Sequence, residues 1–127
     1  MSAFKRLEVW QKSHTLSVCI HRVATRVRAP LYASLRNQLF RAAMSIPTNI
    51  AEGRRQTSEK EFARFLRYAL NSSSELEYHL IVARDTRVID EQDYATLVSQ
   101  TITVRKMLFA LLKRLSTPKI DTGMKSR

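Results

Sequence analysis

Glu75 and His79 stand four residues apart in the run ELEYHL, a spacing that sets a carboxylate and an imidazole on one face of a helix. Such a pair could hold one edge of a metal ion, weakly and without selectivity. A di-iron centre in a helical bundle takes Glu-x-x-His from each of two helices plus a glutamate from each of the others, and Glu-x-x-His does not occur in this chain. A hydrogen bond or ion pair along the helix accounts for Glu75 and His79, and no metal is expected. His14 and His21 lie ~10 Å apart along a helix, too far to share an ion. Glu75 and Glu77 project in different directions and make no acid–base pair. Cys19 is the lone cysteine; it neighbours the apolar Ile20, lacks a basic pattern that would hold a thiolate, and reads as a small buried hydrophobe. No catalytic set is complete, so neither an enzyme nor a cofactor is expected.

The chemistry that remains is cationic. In 127 residues, 22 Lys and Arg face 11 Asp and Glu, a formal charge of +11. A balance of this kind speaks of partners: nucleic-acid phosphates first, anionic membrane next, acidic protein surfaces third. Two glycines exclude the Gly-rich phosphate loops of NTPases and dinucleotide folds. A single cysteine excludes a disulfide framework and a thiolate zinc site and fits a reducing compartment. The start MSAFKRLEVWQKS carries charges where a signal peptide needs an apolar stretch, so a cytoplasmic protein with no membrane partner is expected.

Few glycines and prolines leave little turn chemistry, and helices must position these cations. Four apolar seams share one heptad period: Val9, Ser13, Leu16, Ile20, Val23, Val27; Leu35, Leu39, Ala42, Ile46, Ile50, Gly53; Phe62, Phe65, Ala69, Ser73, Leu76, Leu80, Ala83; and Tyr94, Leu97, Thr101, Val104, Leu108, Leu111, Leu115. Short gaps between them predict an all-α, antiparallel up-down-up-down four-helix bundle over residues 1–115. Ala29-Pro30 should end the first helix, because the proline ring disfavours helical geometry in the residue before it. Gly53 sits where the second should stop. Ser58 and Glu61 form a capping box for the third, and Asp90 with Glu91 and Asp93 opens the fourth. Pro47 falls inside the second segment; a helix kinked there is expected rather than one that ends, since Ile46 and Ile50 carry the seam across it. Residues 116–127, with Pro118 and Gly123 and no seam, read as a mobile basic tail.

The stretches FKRLEVWQKS (Phe4 to Ser13), LRNQLFRAAMSIPTNIAEG (Leu35 to Gly53) and EFARFLRYALNSSSELEYHL (Glu61 to Leu80) resemble the bacterial four-helix-bundle family encoded in intervening sequences of 23S rRNA genes, once labelled a ribosomal protein family. The resemblance implies the same fold and assembly into a homopentamer. Distantly similar is the accessory protein of diversity-generating retroelements, which implies a nucleic-acid role and a protein partner such as a reverse transcriptase. Two departures stand out. Asn71 occupies a position where relatives often carry glycine, which suggests a wider helix approach, and the link around Pro30 is compact.

Opposed helices let the charges be sorted by end. One end gathers Arg22, Arg26, Arg28, Arg36, Arg84 and Arg87 against Asp85, Asp90, Glu91 and Asp93. The other gathers Lys5, Arg6, Arg54, Arg55, Lys60, Lys113 and Arg114, with Lys119, Lys125 and Arg127 of the tail, against Glu8, Glu52, Glu59, Glu61 and Asp121, a larger surplus. Helix dipoles explain why cations sit in last turns, at ~0.3–1 kcal/mol each, but not why compensating acids are missing. The expected nucleic-acid contacts are Arg22, Arg26, Arg28, Arg36, Arg54, Arg55, Arg64, Arg67, Lys113 and Arg114, mostly to phosphate; Tyr32, Tyr68 and Tyr78 are the rings available for stacking. Asn49, Glu52, Ser72, Ser73 and Glu75 should form a polar network between the second and third helices or between subunits. The resulting expectation is a non-enzymatic, homo-oligomeric bundle that binds RNA or DNA. The competing readings are an oligomeric scaffold that recruits an acidic protein, and a small-molecule or metal site near Asn49, Glu52 and Glu75.

Overall fold

A computed structural model describes residues 3–116. Four helices carry the chain: α1 Glu8–Ala24, α2 Ala33–Arg54, α3 Glu59–Asp85 and α4 Glu91–Ser116, with short 3₁₀ turns at Ala3–Arg6 and Pro30–Tyr32. They pack in ring order, α1 on α2, α2 on α3, α3 on α4 and α4 on α1, and among the described residues no Cα atoms of the two diagonal pairs come within 8 Å of each other. The expected tail lies, past Ser116, outside the described residues.

Each seam faces the common core. Leu16, Ile20, Ile46, Ile50, Leu66, Leu76, Leu80, Val104 and Leu108 are fully buried there, each removed from water at ~1.5–3 kcal/mol per side chain. Ser13, Ser73 and Thr101 interrupt the seams yet are fully buried too. Each hydroxyl donates within its own helix, to the carbonyls of Trp10 (2.9 Å), Leu70 (2.7 Å) and Leu97 (2.8 Å), so no bare polar group enters the core. Ser45 meets Ser72 while Gly53 lies against Phe62 and Phe65, so α2 and α3 run in opposite directions. Likewise Glu59 and Lys60 share a groove with Lys113, and Arg84 lies over Tyr94, which opposes α3 and α4.

The helix ends differ in part from expectation. α1 stops at Ala24, well before Pro30: the Arg26 and Val27 amides turn back to Val23 and Ala24, three residues away instead of four, and the Thr25 hydroxyl donates to the Arg22 carbonyl within that last turn. Val27 therefore leaves the helix, and Pro30 instead starts the second 3₁₀ turn. α2 runs unbroken through a buried Pro47, so no turn replaces it between Asn49 and Gly53; the bend that a missing Pro47 amide favours is compatible with that continuity. Ser58 accepts the Glu61 amide at 3.1 Å, but the Glu61 carboxylate turns to Arg64 rather than back to Ser58, leaving half a capping box. Asp90 caps α4 by accepting the Asp93 amide at 2.7 Å. Asn71 is exposed, so its side chain does not set a helix spacing.

α3 ends in a Schellman turn: the Val88 amide donates to Ala83 (2.8 Å) and the Arg87 amide to Arg84 (2.9 Å). The left-handed residue of that turn is Arg87, at φ 63°, where glycine is usual. Replacing Arg87 by glycine should stabilise the bundle by up to ~1 kcal/mol, read as a rise of a few degrees in thermal melting. A fall would show that the Arg87 side chain holds the turn.

By length and composition alone, α4 could cross a membrane. Its apolar side is already occupied, since Leu97, Thr101, Val104, Leu108 and Leu111 are buried in the bundle, and Arg105, Lys106, Lys113 and Arg114 punctuate its second half.

Candidate nucleic-acid interface

The ten candidate cations fall on the two ends of the bundle, and the ends are not alike. At the first, α1 finishes beside the α3–α4 link, and a cleft lies between Val23, Arg26, Arg84, Arg87, Glu91 and Asp93. Acids meet the cations here: Arg26 reaches Asp93 at 3.5 Å and Arg84 reaches Asp85 at 3.0 Å while lying 4.3 Å over the Tyr94 ring. The Asp85 hydrogen bond raises Arg84 above its ordinary pKa. Arg36 is half-buried and donates to the Val27 carbonyl, which commits it to holding the link between α1 and α2. Arg22 and Arg28 are exposed.

The second end joins the start of α1, the finish of α2, the start of α3 and the finish of α4. Arg54, Arg55, Arg67, Lys113 and Arg114 are exposed on it, with Lys60 beside them. Arg54 lies 5.8 Å from the centre of the Phe62 ring. Arg114 borders a groove with Leu7, Val9 and Met107, and Lys60, Arg67 and Lys113 border another with Phe109 and Leu112. Among the described residues, no ion pair holds Arg54, Arg55, Lys60, Arg67 or Arg114.

Arg64 differs from its neighbours. It donates to Glu61 (2.6 Å) and to the Tyr68 hydroxyl (2.7 Å) and stacks 4.9 Å over Phe65, so its guanidinium is committed to α3. The same hydrogen bond holds the Glu61 carboxyl below its ordinary pKa. A depressed carboxylate stabilises the fold at neutral pH, and that contribution fades as acid takes the pH down through the folded value.

The expected polar network divides. Asn49 Nδ2 donates to the Ser45 carbonyl (2.8 Å) and hydroxyl (3.0 Å), and the Ser45 and Ser72 hydroxyls share a 2.7 Å hydrogen bond, which ties α2 to α3. Ser73 belongs to the other side of α3: Arg105 of α4 donates to its hydroxyl (3.3 Å) and carbonyl (3.2 Å) and pairs with Glu77 at 2.6 Å. Glu52 and Glu75 are exposed and take no part, because both lie on the outer sides of their helices. Arg105 and Ser45 were missed by the sequence reading. Arg105 follows the seam residue Val104, which places it at the seam's edge, but its partner Glu77 is distant in sequence and no local pattern pairs them.

Among the described residues no three of His, Cys, Asp and Glu gather at metal-binding distance. His14 stacks on Trp10 at 5.1 Å and His21 lies against Phe40 at 5.0 Å, each ring used in the α1–α2 surface. Cys19 is half-buried, with Gln100 Nε2 at 3.7 Å from its sulfur.

The profile of a family described as 23S rRNA-intervening sequence protein matches residues 5–110. A crystal structure of a protein of unknown function from the S23 ribosomal protein family, from Bacteroides thetaiotaomicron VPI-5482, is similar at a TM-score of 0.78 and 26% identity, over 83% of this chain and 98% of that one. No curated protein matches the chain.

Proposed function

The chain belongs to the 23S rRNA-intervening sequence protein family, a family of unknown function, and from that premise we propose that it is a non-enzymatic nucleic-acid-binding bundle that grips phosphate with its second end. One observation carries the reading. The acids in ion pairs are taken by Arg26 and Arg84 at the first end, Arg105 on the α3–α4 side and Arg64 on α3, while Arg54, Arg55, Lys60, Arg67 and Arg114 crowd the second end without ion pairs among the described residues. Cations held together this way repel one another unless a polyanion lies across them. Contacts of this type order a phosphate backbone and read little sequence.

Assembly into a homo-oligomer, a pentamer on the family resemblance, is part of the same proposal, as are a cytoplasmic site of action and a nucleic-acid-handling partner such as a reverse transcriptase. An oligomer would repeat the basic end around one particle and multiply its field.

Anisotropy with labelled duplex DNA and RNA tests the reading. Binding at about 50 mM salt that weakens about a hundredfold by about 200 mM is expected for ~four phosphate contacts. No binding at the lower salt overturns it, and salt-independent binding removes the phosphate mechanism.

A further inference from the structure

We infer that the groove between α3 and α4 takes a single-stranded nucleic acid, with Phe109 as the ring on which an unpaired base stacks. The inference rests on the nucleic-acid reading above and narrows it to a kind of strand.

Phe109 is 57% exposed on α4, in a groove lined by Glu59, Lys60, Arg67, Leu112 and Lys113. Phe109 lies outside the buried core of a helix that already buries a full apolar seam. Among the described residues no ring or guanidinium packs on it, which leaves its π-face open. The other exposed rings are less suited. Tyr68 meets Phe65 in a T-shaped pair at 5.5 Å, has Arg64 over its ring at 5.5 Å, and has its hydroxyl engaged by Arg64. Tyr78 is 62% exposed but stands between Glu75, Glu77 and His79 on α3, a neighbourhood that repels phosphate.

Charge decides the occupant. Lys60 and Arg67 lie two turns apart on α3, ~10 Å along the helix, and flank the groove where Phe109 projects from the facing helix. Glu59 is the acid among the lining residues. A backbone laid along the cations would put a base over Phe109, the arrangement of cationic track and aromatic platform that single-strand binders use. A duplex keeps its bases stacked inside and offers Phe109 nothing. Stacking and phosphate contacts also leave the sugar unread, so RNA and DNA strands of one sequence should bind alike.

The test uses the full chain, labelled 12-nucleotide RNA and DNA strands, and the DNA duplex. Phe109→Ala should weaken binding of both strands about tenfold and leave duplex binding within about twofold, while Tyr78→Ala changes neither. Phe109→Trp gives an independent readout: it should keep full strand affinity, and the bound strand should quench fluorescence that the wild-type Trp10 does not lose. Strand binding indifferent to Phe109→Ala, or an unquenched Phe109→Trp complex, overturns the inference while the phosphate reading stands. Wild-type protein that binds no strand and no duplex overturns both. Capture of an acidic amphipathic peptide in a Phe109-dependent way, with strands not competing, assigns the groove to a protein and likewise overturns the inference.

Discussion

Replacing Arg54 and Arg55 together by glutamate should cut nucleic-acid affinity about fiftyfold at about 0.1 M salt and lower the salt slope by ~2. Each phosphate contact to duplex DNA contributes ~0.9 to the slope of log affinity against log salt, so two lost contacts account for most of the change between 1 M and 0.1 M, and the new carboxylates add repulsion. The pair is the right target because both side chains are exposed in and just after the last turn of α2 and neither is held by an ion pair among the described residues. Reversal also sets carboxylates at the negative end of the α2 dipole, at ~0.3–1 kcal/mol each, so a modest drop in melting temperature accompanies it. Arg54→Gln with Arg55→Gln removes the cations without that penalty and should retain most of the binding loss. Charge reversal at Lys125 and Arg127, outside the described residues, should do less; an equal effect contradicts the placement of the patch on the α2–α3 end. Arg64 supplies a further contrast, because its guanidinium is already satisfied by Glu61 and Tyr68.

The bundle was legible because its signal is periodic. Heptad spacing needs only one chain segment at a time, and Ser13, Ser73 and Thr101 could be placed in the seams by spacing alone even though their residue types argue against burial. Helix ends were less legible where the stop comes from backbone amides that tighten onto nearer carbonyls. α1 ends where the Arg26 and Val27 amides tighten onto Val23 and Ala24, and nothing in the residue type distinguishes Thr25 from a mid-helix threonine. Candidate cations were identifiable as cations, but their partners were not. Arg36 looked like Arg28 in sequence, and only the fold sends Arg36 to the Val27 carbonyl and leaves Arg28 in water. Pairings across the core, Ser45 with Ser72 and Arg105 with Glu77, join positions on different helices whose rotation no single-helix pattern fixes. Phe109 escaped notice for a related reason: it lies in an apolar run, and burial of one side of that run hides from the sequence which ring faces out.

Gly53 shows the same limit and carries the second large effect. The sequence placed it at the end of α2 as a helix stop, yet α2 continues to Arg54 and Gly53 has no positive φ. Its reason is closeness. A Cβ at Gly53 would lie 2.8 Å from Phe65 Cβ, 3.0 Å from Phe62 Cδ1 and 3.3 Å from the Phe62 carbonyl oxygen. The Phe62 ring can turn aside, but Phe65 Cβ is fixed to the α3 backbone, so the methyl group of alanine must push the two helices apart at this contact. Overpacking of this kind costs ~1–3 kcal/mol, and alanine's better helix propensity returns ~0.5–1 kcal/mol of it. Gly53→Ala should therefore destabilise by ~1–2 kcal/mol, about 5 °C in a thermal melt. Because Arg54 and Arg55 follow directly, and Arg54 lies over the Phe62 ring, the displacement should also shift the cations and weaken nucleic-acid binding by a few fold. An unchanged or higher melting temperature would mean that α2 and α3 part at no cost, and the close approach would then have no part in setting the basic end.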